Sequence, residues 1–374
     1  MHRSIQSAAA AFALAATIGF GAGPATAAAP QHSPDGAATL ASGLLSPLSL
    51  AAGNGGTVYV AQNFGGTLTA IDGRGATGTI YQSPTPGSEV GAVSVHDGTL
   101  YFSDNAGVSP TSGASTAKLM AISRHDGMRT ITDLARYEAT ENPDADVAYG
   151  FRDLDTACLA QLPPDIPGAY TGTVDSHVYA TAPGRHELFV ADAGGNDILA
   201  VDPDSGDVRT VAVLPPQPAV VTAEAVAALG LPACTLNHRY YFEPVPTDVA
   251  VGPDGLLYVS TLPGGPEGPQ LGARGKIYSI DPSTGSIHRV VSGLLSPTGL
   301  AITGSGDIYV AELFGDRISV ARAGDDTAEP FLSLPHPAAL VLKGSTLYAT
   351  VDVLPAENMA PNGRVVAIGL DDWR

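Results

Sequence analysis

The chain has 374 residues, 44% of them hydrophobic, so it is long enough to bury a large core. Asp and Glu outnumber Lys and Arg by 37 to 18, which gives a net charge of −19. A surface this acidic repels nucleic acid and anionic lipid, so neither is an expected partner.

The N-terminus has the features of a secretory signal peptide. His2 and Arg3 form a basic start, and Ala8–Phe20 is an apolar run too short to span a bilayer. Ala25-Thr26-Ala27 fits the rule of small residues around a cleavage site. We therefore predict a signal peptide over 1–27, a mature chain from Ala28 and secretion to the extracellular space. No later stretch has the ~18 apolar residues of a membrane helix, so we predict no membrane span.

Three stretches of the mature chain align with one another without a gap: Pro47–Ala61, Pro246–Ser260 and Pro297–Ala311. Each begins with Pro, alternates through a short apolar strand, turns at a Gly and then reads apolar-Tyr-Val-small. Three weaker copies share the aromatic second strand, so six aromatic anchors mark six units: Tyr59, Tyr101, Phe189, Tyr258, Tyr309 and Tyr348. Four short strands per ~40–50 residues predict an all-β fold, a six-bladed β-propeller with four-stranded blades.

The two ends of the chain indicate how the ring closes. The last unit stops after its third strand, whereas Ala38–Leu44 resembles Ile287–Leu294, a fourth strand. We expect the N-terminal strand to complete the last blade, which leaves no free sheet edge. Residues 28–374 would then form a single propeller domain, which we expect to be a monomer.

Two spacings between units are too long, and they indicate insertions at about 137–172 and 215–244. Val221–Leu229 has the composition of a short helix within the second insertion. Each insertion holds one cysteine, Cys158 or Cys234, and a pair in an exported chain predicts a disulfide. A reactive thiol or a metal ligand is the alternative, but no Cys-x-x-Cys spacing supports it. Both insertions join a fourth strand to the next first strand, so they should emerge on one face of the ring.

The loops that follow the aromatic strands open on the same face. The position three residues after each anchor reads Gln62, Asp104, Asp192, Thr261, Glu312 and Val351, with Asn105 and Asn196 close by. Carboxylates around a ring mouth are candidates for binding a ligand or cation, or for acid–base chemistry. The alternative is that these side chains hydrogen-bond the backbone of their own loops, as Asp and Asn do in turns.

The position two residues after each initial Pro should face the ring axis. It reads Ser49, Gly91, Tyr179, Asp248, Gly299 and Ala339. Asp248 is the charged member of a mostly small set. A charge near the axis is costly unless it is solvated, paired or bound to a metal, so Asp248 is a further candidate for ligand or metal binding. A water-filled channel would satisfy it equally well.

The first insertion is acidic, with Glu138, Glu141, Asp144, Asp146, Asp153 and Asp155. Oxygen ligands at this density suit Ca²⁺, although no EF-hand spacing is present. A solvated acidic loop is the other interpretation. The chain has no Gly-x-Ser-x-Gly elbow, no His-Glu-x-x-His and no P-loop, which favours a protein that is not an enzyme.

The repeats resemble NHL-type and SMP-30-like propeller repeats, as in Pro246–Gly255. More closely, the chain resembles the ScyD/ScyE family of exported bacterial propellers. The matching stretches are Ala135–Glu138 with Glu141–Asp144, then Val190–Asn196, then Val245–Gly255. The resemblance implies a propeller fold and export. It implies no particular reaction.

Three functional hypotheses follow. In the first, the chain is an exported module that binds a small molecule, glycan or protein on the insertion-bearing face. In the second, it is a divalent-metal-dependent hydrolase or lyase of the lactonase or streptogramin-lyase type. Asp104, Asp192, Asp248 and Glu312 would then supply metal ligands or the base, and Ca²⁺ or another divalent cation would be the cofactor. In the third, it is a structural protein of the cell envelope.

Overall fold

The structure is a computed structural model and describes residues 37–107, 116–266, 271–354 and 359–373. The predicted signal peptide over 1–27 and the predicted start of the mature chain at Ala28 lie outside these residues.

Strands account for about half of the described chain. The first nine are β1 (Ala37–Leu44), β2 (Pro47–Ala52), β3 (Val58–Gln62), β4 (Thr67–Ile71), β5 (Thr77–Gln82), β6 (Glu89–His96), β7 (Thr99–Ala106), β8 (Thr116–Ser123) and β9 (Gly127–Asp133). The next eight are β10 (Ala148–Phe151), β11 (Ala169–Thr171), β12 (Val178–Pro183), β13 (Leu188–Asp192), β14 (Asp197–Val201), β15 (Val208–Val213), β16 (Gln217–Val220) and β17 (Arg239–Phe242). The remainder are β18 (Pro246–Val251), β19 (Leu257–Thr261), β20 (Gly275–Ile280), β21 (Ile287–Leu294), β22 (Pro297–Ile302), β23 (Ile308–Glu312), β24 (Arg317–Ala321), β25 (Glu329–Ser333), β26 (Leu340–Lys343), β27 (Thr346–Val351) and β28 (Gly363–Gly369).

The helices are short and lie mostly in the insertions. The α-helices of the described residues are α1 (Leu134–Glu141), α2 (Thr156–Leu159) and α3 (Ala223–Leu229). Single 3₁₀ turns cover Asn54–Gly56, Asn63–Gly65, Ala233–Thr235, Leu313–Gly315 and Leu370–Trp373. None of the helices in the described ranges has the length and apolar character needed to cross a membrane.

The described strands form seven four-stranded antiparallel sheets. Six of them contain one repeat unit each: β2–β5, β6–β9, β12–β15, β18–β21, β22–β25, and β26–β28 with β1. The first strands of these six sheets contact one another in a closed cycle, in the order β2, β6, β12, β18, β22 and β26. The structure confirms the predicted β-propeller class, with one more four-stranded sheet than the six predicted.

The six aromatic anchors all lie on second strands. In the three best-matched copies, each ring stands opposite an alanine of the first strand, in the pairs Ala51 with Tyr59, Ala250 with Tyr258 and Ala301 with Tyr309. A large side chain beside a small one packs closely on one sheet face. The core lies between adjacent sheets, as where Ile318 of one packs in a cluster with Leu340 and Leu347 of the next.

The N-terminal strand completes the last repeat-containing sheet, as predicted. Strand β1 pairs antiparallel with β28, from Ala37 opposite Ile368 to Leu44 opposite Gly363. Gly363 is required at this closure, because a β-carbon there would lie 2.6 Å from the carbonyl oxygen of Leu44. The outer edge of β28 is therefore covered by a strand from the other end of the chain.

The seventh sheet, which we call the insertion sheet, has the strand order β11-β10-β17-β16. The first insertion supplies β10 and β11, and the second supplies β16 and β17. The predicted disulfide between Cys158 and Cys234 is present and links the two insertions. The predicted helix of the second insertion is α3, which begins after Thr222, whose hydroxyl accepts a hydrogen bond from Ala225 N. The sequence did not predict that the insertions pair into a sheet.

Candidate functional site

The insertion sheet lines one side of an apolar cavity of about 250 Å³ that is partly open to solvent. Both insertions contribute to its walls, through Phe151 and Ile166 from the first and through Val221, Leu229, Leu231 and Tyr240 from the second. Cavities lined mainly by apolar and aromatic side chains are typical small-molecule sites. The cavity is therefore the first feature of the insertion-bearing face that can accept a ligand.

Aromatic contacts fix one wall of this cavity. Tyr240 packs edge-on against Phe151 with ring centroids 4.9 Å apart, and it contacts Phe242 at 4.5 Å. The Tyr240 hydroxyl donates to the carbonyl oxygen of Pro167 at 3.1 Å. The guanidinium of Arg274 lies over the Phe242 ring at 4.5 Å, and burial lowers the pKa of this group to about 10. The wall is thus preformed, which limits the entropy lost on binding.

A second cavity, of about 320 Å³, runs along the ring axis between the first strands. Ser49, Tyr179, Asp248 and Ala339 line it, whereas Gly91 and Gly299 are not among its lining residues. Burial raises the pKa of Asp248 to about 7, against the opposing effect of hydrogen bonds from the backbone N–H groups of Leu300 and Val249. Asp248 contributes a carboxylate to the lining of the channel, and most of the other lining residues are aliphatic.

Glu312 and Gln62 occupy equivalent positions in two repeats and make equivalent contacts. Glu312 accepts from Leu295 N at 2.6 Å, and Gln62 Oε1 accepts from Leu45 N at 2.8 Å. Glu312 also accepts from Arg317 Nε at 2.7 Å and from the Ser319 hydroxyl at 2.5 Å. These bonds join each side chain to its own blade, in keeping with the loop-bonding alternative.

Asp104 and Asn105 tie neighbouring sheets together. Asp104 accepts from the Tyr81 hydroxyl at 2.5 Å and from the Ser83 hydroxyl at 2.9 Å, both from the preceding repeat. Asn105 donates to the carbonyl oxygen of Val178 at 3.1 Å, in the following repeat. Both residues are buried, so the structure gives them contacts that stabilise the ring.

Asp192 and Asn196 lie in the tight hairpin between β13 and β14. Asp192 accepts from the Ser176 hydroxyl at 2.5 Å and from the backbone N–H groups of His177, Gly194 and Gly195. Asn196 donates to Asp144 Oδ2 at 3.1 Å, and its Oδ1 accepts from Val245 N at 3.2 Å. Through Asn196 the hairpin contacts the first insertion and the segment that leads into β18.

Around this hairpin the structure assembles six buried carboxylates, which we call the acidic cluster. Its members are Glu138, Asp144, Asp175, Asp192, Asp197 and Glu243. They come from α1, the turn after α1, the segment before β12, the β13–β14 hairpin and the segment after β17. The cluster therefore lies where both insertions meet the sheet β12–β15.

The acidic cluster brings groups of like charge close together where water cannot screen them. Burial, and then the neighbouring carboxylates, raise the pKa of Glu138 to about 9 and that of Glu243 to about 7. Burial also raises the pKa of Asp144 to about 6, and that of Asp197 well above its usual range. Such a cluster is stable only if protons or a cation neutralise part of its charge.

The acidic stretch of the first insertion divides into two kinds of residue. Glu138 and Asp144 are buried in the cluster, whereas Glu141, Asp146 and Asp153 are exposed, as expected of a solvated loop. Asp155 caps α2 by accepting from Cys158 N at 2.8 Å. Sequence reasoning missed Asp175, Asp197 and Glu243 as members of the cluster. The sequence feature that could have indicated the cluster is the pair Asp192 and Asp197, which flanks the Gly194-Gly195 turn.

The structure does not bring together the four carboxylates of the metal-enzyme hypothesis. Asp104, Asp192 and Glu312 are each hydrogen-bonded within separate networks, and Asp248 faces the axial channel. Within the described ranges, no three His, Cys, Asp or Glu side chains form a group that could hold a metal ion. The roles of these four residues in binding or catalysis stay predictions.

Comparison with known proteins supports the fold. No protein-family model matches the chain, and no curated protein matches it. Among solved structures, the PQQ-bound aldose sugar dehydrogenase of Streptomyces coelicolor is 14% identical, with 88% of this chain and 95% of that chain covered and a TM-score of 0.50. A glucose dehydrogenase of Thermus thermophilus is 16% identical, with 88% and 98% covered and a TM-score of 0.50.

Virginiamycin B lyase from Staphylococcus aureus is also similar in structure. It is 16% identical, with 86% of this chain and 94% of that chain covered, at a TM-score of 0.47. At identities this low, the similarity to the two dehydrogenases supports the β-propeller fold and carries no argument about the reaction or ligand, and the weaker similarity to the lyase carries no argument at all.

Proposed function

We propose that this chain is an exported β-propeller of the ScyD/ScyE family that binds a small apolar molecule in the cavity of the insertion sheet. The observation that carries the proposal is the cavity itself, whose apolar and aromatic walls come from both insertions. An apolar cavity of roughly 150 Å³ is known to hold benzene, so about 250 Å³ suits a substituted single ring or a fused pair of rings.

The binding hypothesis is preferred to the metal-dependent hydrolase or lyase for a geometric reason. An enzyme of that type needs several ligands or a base aimed at one point, whereas Asp104, Asp192 and Glu312 each satisfy their oxygens within separate networks. Binding in the cavity of the insertion sheet needs only apolar contact, which its lining supplies.

Titration of the mature chain, residues 28–374, with toluene, indole and naphthalene tests the proposal by calorimetry or ligand-observed NMR. We expect at least one of these probes to bind with one site per chain. Ala219 lines the cavity and is only partly buried, so Ala219→Leu should fill the space without disturbing the fold and should weaken binding at least about tenfold.

Ala250→Leu is the matched control, because Ala250 is a partly buried strand residue that lines the axial channel instead. This variant should bind the probe as the wild type does. Loss of binding in Ala250→Leu with retention in Ala219→Leu would assign the site to the axial channel and reject the proposal. Failure of all three probes to bind the wild type would also reject it.

A further inference from the structure

The axial channel opens on the face of the ring opposite the insertion sheet. At the start of the first strands, the lining residues Leu48, Thr247 and Thr298 are buried. Where these strands end, the lining residues are all apolar and at least partly exposed, and they form a rim: Ala52, Val95, Pro183, Val251, Ile302 and Leu342. Both insertions precede the start of a first strand, so this apolar rim lies on the other face.

The carboxylate of Asp248 is held in the wall of this channel by backbone donors. It accepts from Val249 N at 2.8 Å and from Leu300 N, in the neighbouring strand β22, at 2.8 Å. An ionised carboxylate has about four acceptor positions, so these two bonds leave others available. The side chain is only partly buried, and it lines the channel. A ligand in the channel could therefore donate to it directly.

No charged side chain of the described residues compensates Asp248 within the channel. The lining contains no Lys, Arg or His, and Tyr179 is its other titratable residue. The strands packed against β18 also carry Asp192 and Tyr258, but neither affects the pKa of Asp248, which burial raises to about 7. A buried carboxylate without a counter-charge is costly, so a cation in the channel would be favoured.

The shape and chemistry of the channel suit an organic cation better than a metal ion. Ca²⁺ requires six to eight oxygen ligands, whereas Asp248 is the one carboxylate of the described lining. The aliphatic walls, to which Leu50 and Leu340 contribute, match a hydrocarbon body. An apolar cavity of roughly 150 Å³ holds benzene, so about 320 Å³ has room for a six-carbon ring that carries an amino group.

We propose that the axial channel binds a small primary ammonium ion with an apolar body, and that the carboxylate of Asp248 is its counter-ion. The ammonium group would donate to the available acceptor positions of Asp248. The hydrocarbon part would lie against the aliphatic walls and point toward the apolar rim. This site differs in place and in ligand from the cavity of the insertion sheet, so the inference stands apart from the proposed function, and either one can fail alone.

Calorimetric titration of the mature chain, residues 28–374, with cyclohexylamine at about pH 8 tests the proposal. We expect one site per chain. Cyclohexanol has a similar shape but no charge, and it should bind at least about tenfold more weakly, because hydrogen bonds between charged groups are stronger. Between about pH 8 and about pH 6 the affinity for cyclohexylamine should fall about tenfold, because Asp248 takes up a proton while the amine stays charged.

Two substitutions separate the site from general surface charge. Asp248→Asn and Asp254→Asn remove the same charge from one hairpin, but Asp254 is exposed in the turn between β18 and β19. We expect Asp248→Asn to weaken binding of cyclohexylamine at least about tenfold and to remove its pH dependence, and Asp254→Asn to change the affinity by less than about twofold.

A third variant keeps the test decisive if Asp248→Asn does not fold. Ala52 lies at the apolar rim, where it is partly exposed and has room for a larger side chain. Ala52→Leu leaves every charge in place but takes up space inside the channel. It should therefore weaken binding of cyclohexylamine at least about fivefold.

The proposal is overturned if cyclohexylamine does not bind the wild type at about pH 8, or if cyclohexanol binds equally well. Equal weakening by Asp248→Asn and Asp254→Asn would also overturn it, because the effect would then come from net charge. Binding of cyclohexylamine that is lost in Ala219→Leu but unchanged in Asp248→Asn and Ala52→Leu would place the amine in the cavity of the insertion sheet and would likewise reject the proposal.

Discussion

Arg317 donates two hydrogen bonds to the carboxylate of Glu312, which is completely buried at the end of β23. The Ser319 hydroxyl and the backbone N–H of Leu295 donate the others. All of these donors depend on a single acceptor group. The same position in the first repeat is Gln62, which has no arginine beside it. The equivalent loop is therefore held by a neutral amide in the first repeat and by a carboxylate–arginine pair in the other.

Replacing Glu312 should therefore be costly. Glu312→Gln keeps the acceptor for Leu295 but deprives Arg317 of its carboxylate, and we expect a loss of about 2–3 kcal/mol in the free energy of unfolding, measured by urea denaturation. Arg322→Ala is the control, because the pair of Arg322 with Asp307 is more exposed and should contribute less than about 1 kcal/mol. Equal effects of the two substitutions would contradict the prediction.

Removing the disulfide should loosen one part of the molecule. Cys158 and Cys234 are separated by 76 residues, and their link is worth about 4 kcal/mol by the loop-entropy model. Both cysteines belong to the insertions, so a double Cys→Ser variant should lose amide-exchange protection in β10 and β17 while β3 and β23 keep theirs. Mass spectrometry after hydrogen exchange measures this difference, and uniform loss of protection would count against it.

Removing β1 should open the ring. A chain that begins at residue 45 lacks the buried side chains of Ala37, Ala41 and Leu44 and exposes the edge of β28. We expect it to lose more than about 4 kcal/mol of stability and to aggregate, because free edges pair with other chains. Size-exclusion chromatography and thermal unfolding check this. A chain that begins at residue 28 is the control and should stay folded; equal behaviour of the two chains would refute the prediction.

Asp248 should make stability depend on pH. Burial raises the pKa of its carboxyl from 3.8 to about 7, so the folded protein binds this proton more tightly than the unfolded chain does. Stability must then fall as the pH rises through that interval. Between about pH 5 and about pH 8, we expect the wild type to lose about 2 kcal/mol relative to Asp248→Asn, since water in the channel reduces the full effect. A constant difference across this range would show that the carboxyl titrates normally.

The repeat units could be predicted because their signals are local. Tyr59, Tyr258 and Tyr309 mark second strands by a pattern confined to each unit, and the pairing of β1 with β28 followed from a fourth strand missing at one end and present at the other. The insertion sheet could not be predicted in this way. Strand β10 has only four residues, Ala148–Phe151, and its partner β17 lies in the other insertion. No alternation of apolar and polar residues within either segment therefore predicts that the two strands pair.

The candidate sites show the same difference between local signals, which a sequence reveals, and contacts between distant segments, which it does not. Asp192 and Asn196 were identified because they follow an aromatic strand. Asp197, Asp175 and Glu243 join them only through folding, since burial brings together residues that are separate in sequence. The apolar cavity likewise requires Phe151 and Tyr240 to meet across the insertion sheet. A sequence shows which residues can carry charge or apolar surface, but the pairing of distant segments decides which of them share a site.

The seam between β1 and β28 also bears on when the protein can finish folding. Ala37 leaves the ribosome long before its partner Ile368 has been made, so β1 must wait unpaired while the rest of the chain is synthesised. Domains whose contacts are local can fold as they emerge, but this ring cannot close until β28 has been synthesised. Closure of the ring therefore comes after all the repeat units have been synthesised, which would suit the export proposed for this protein.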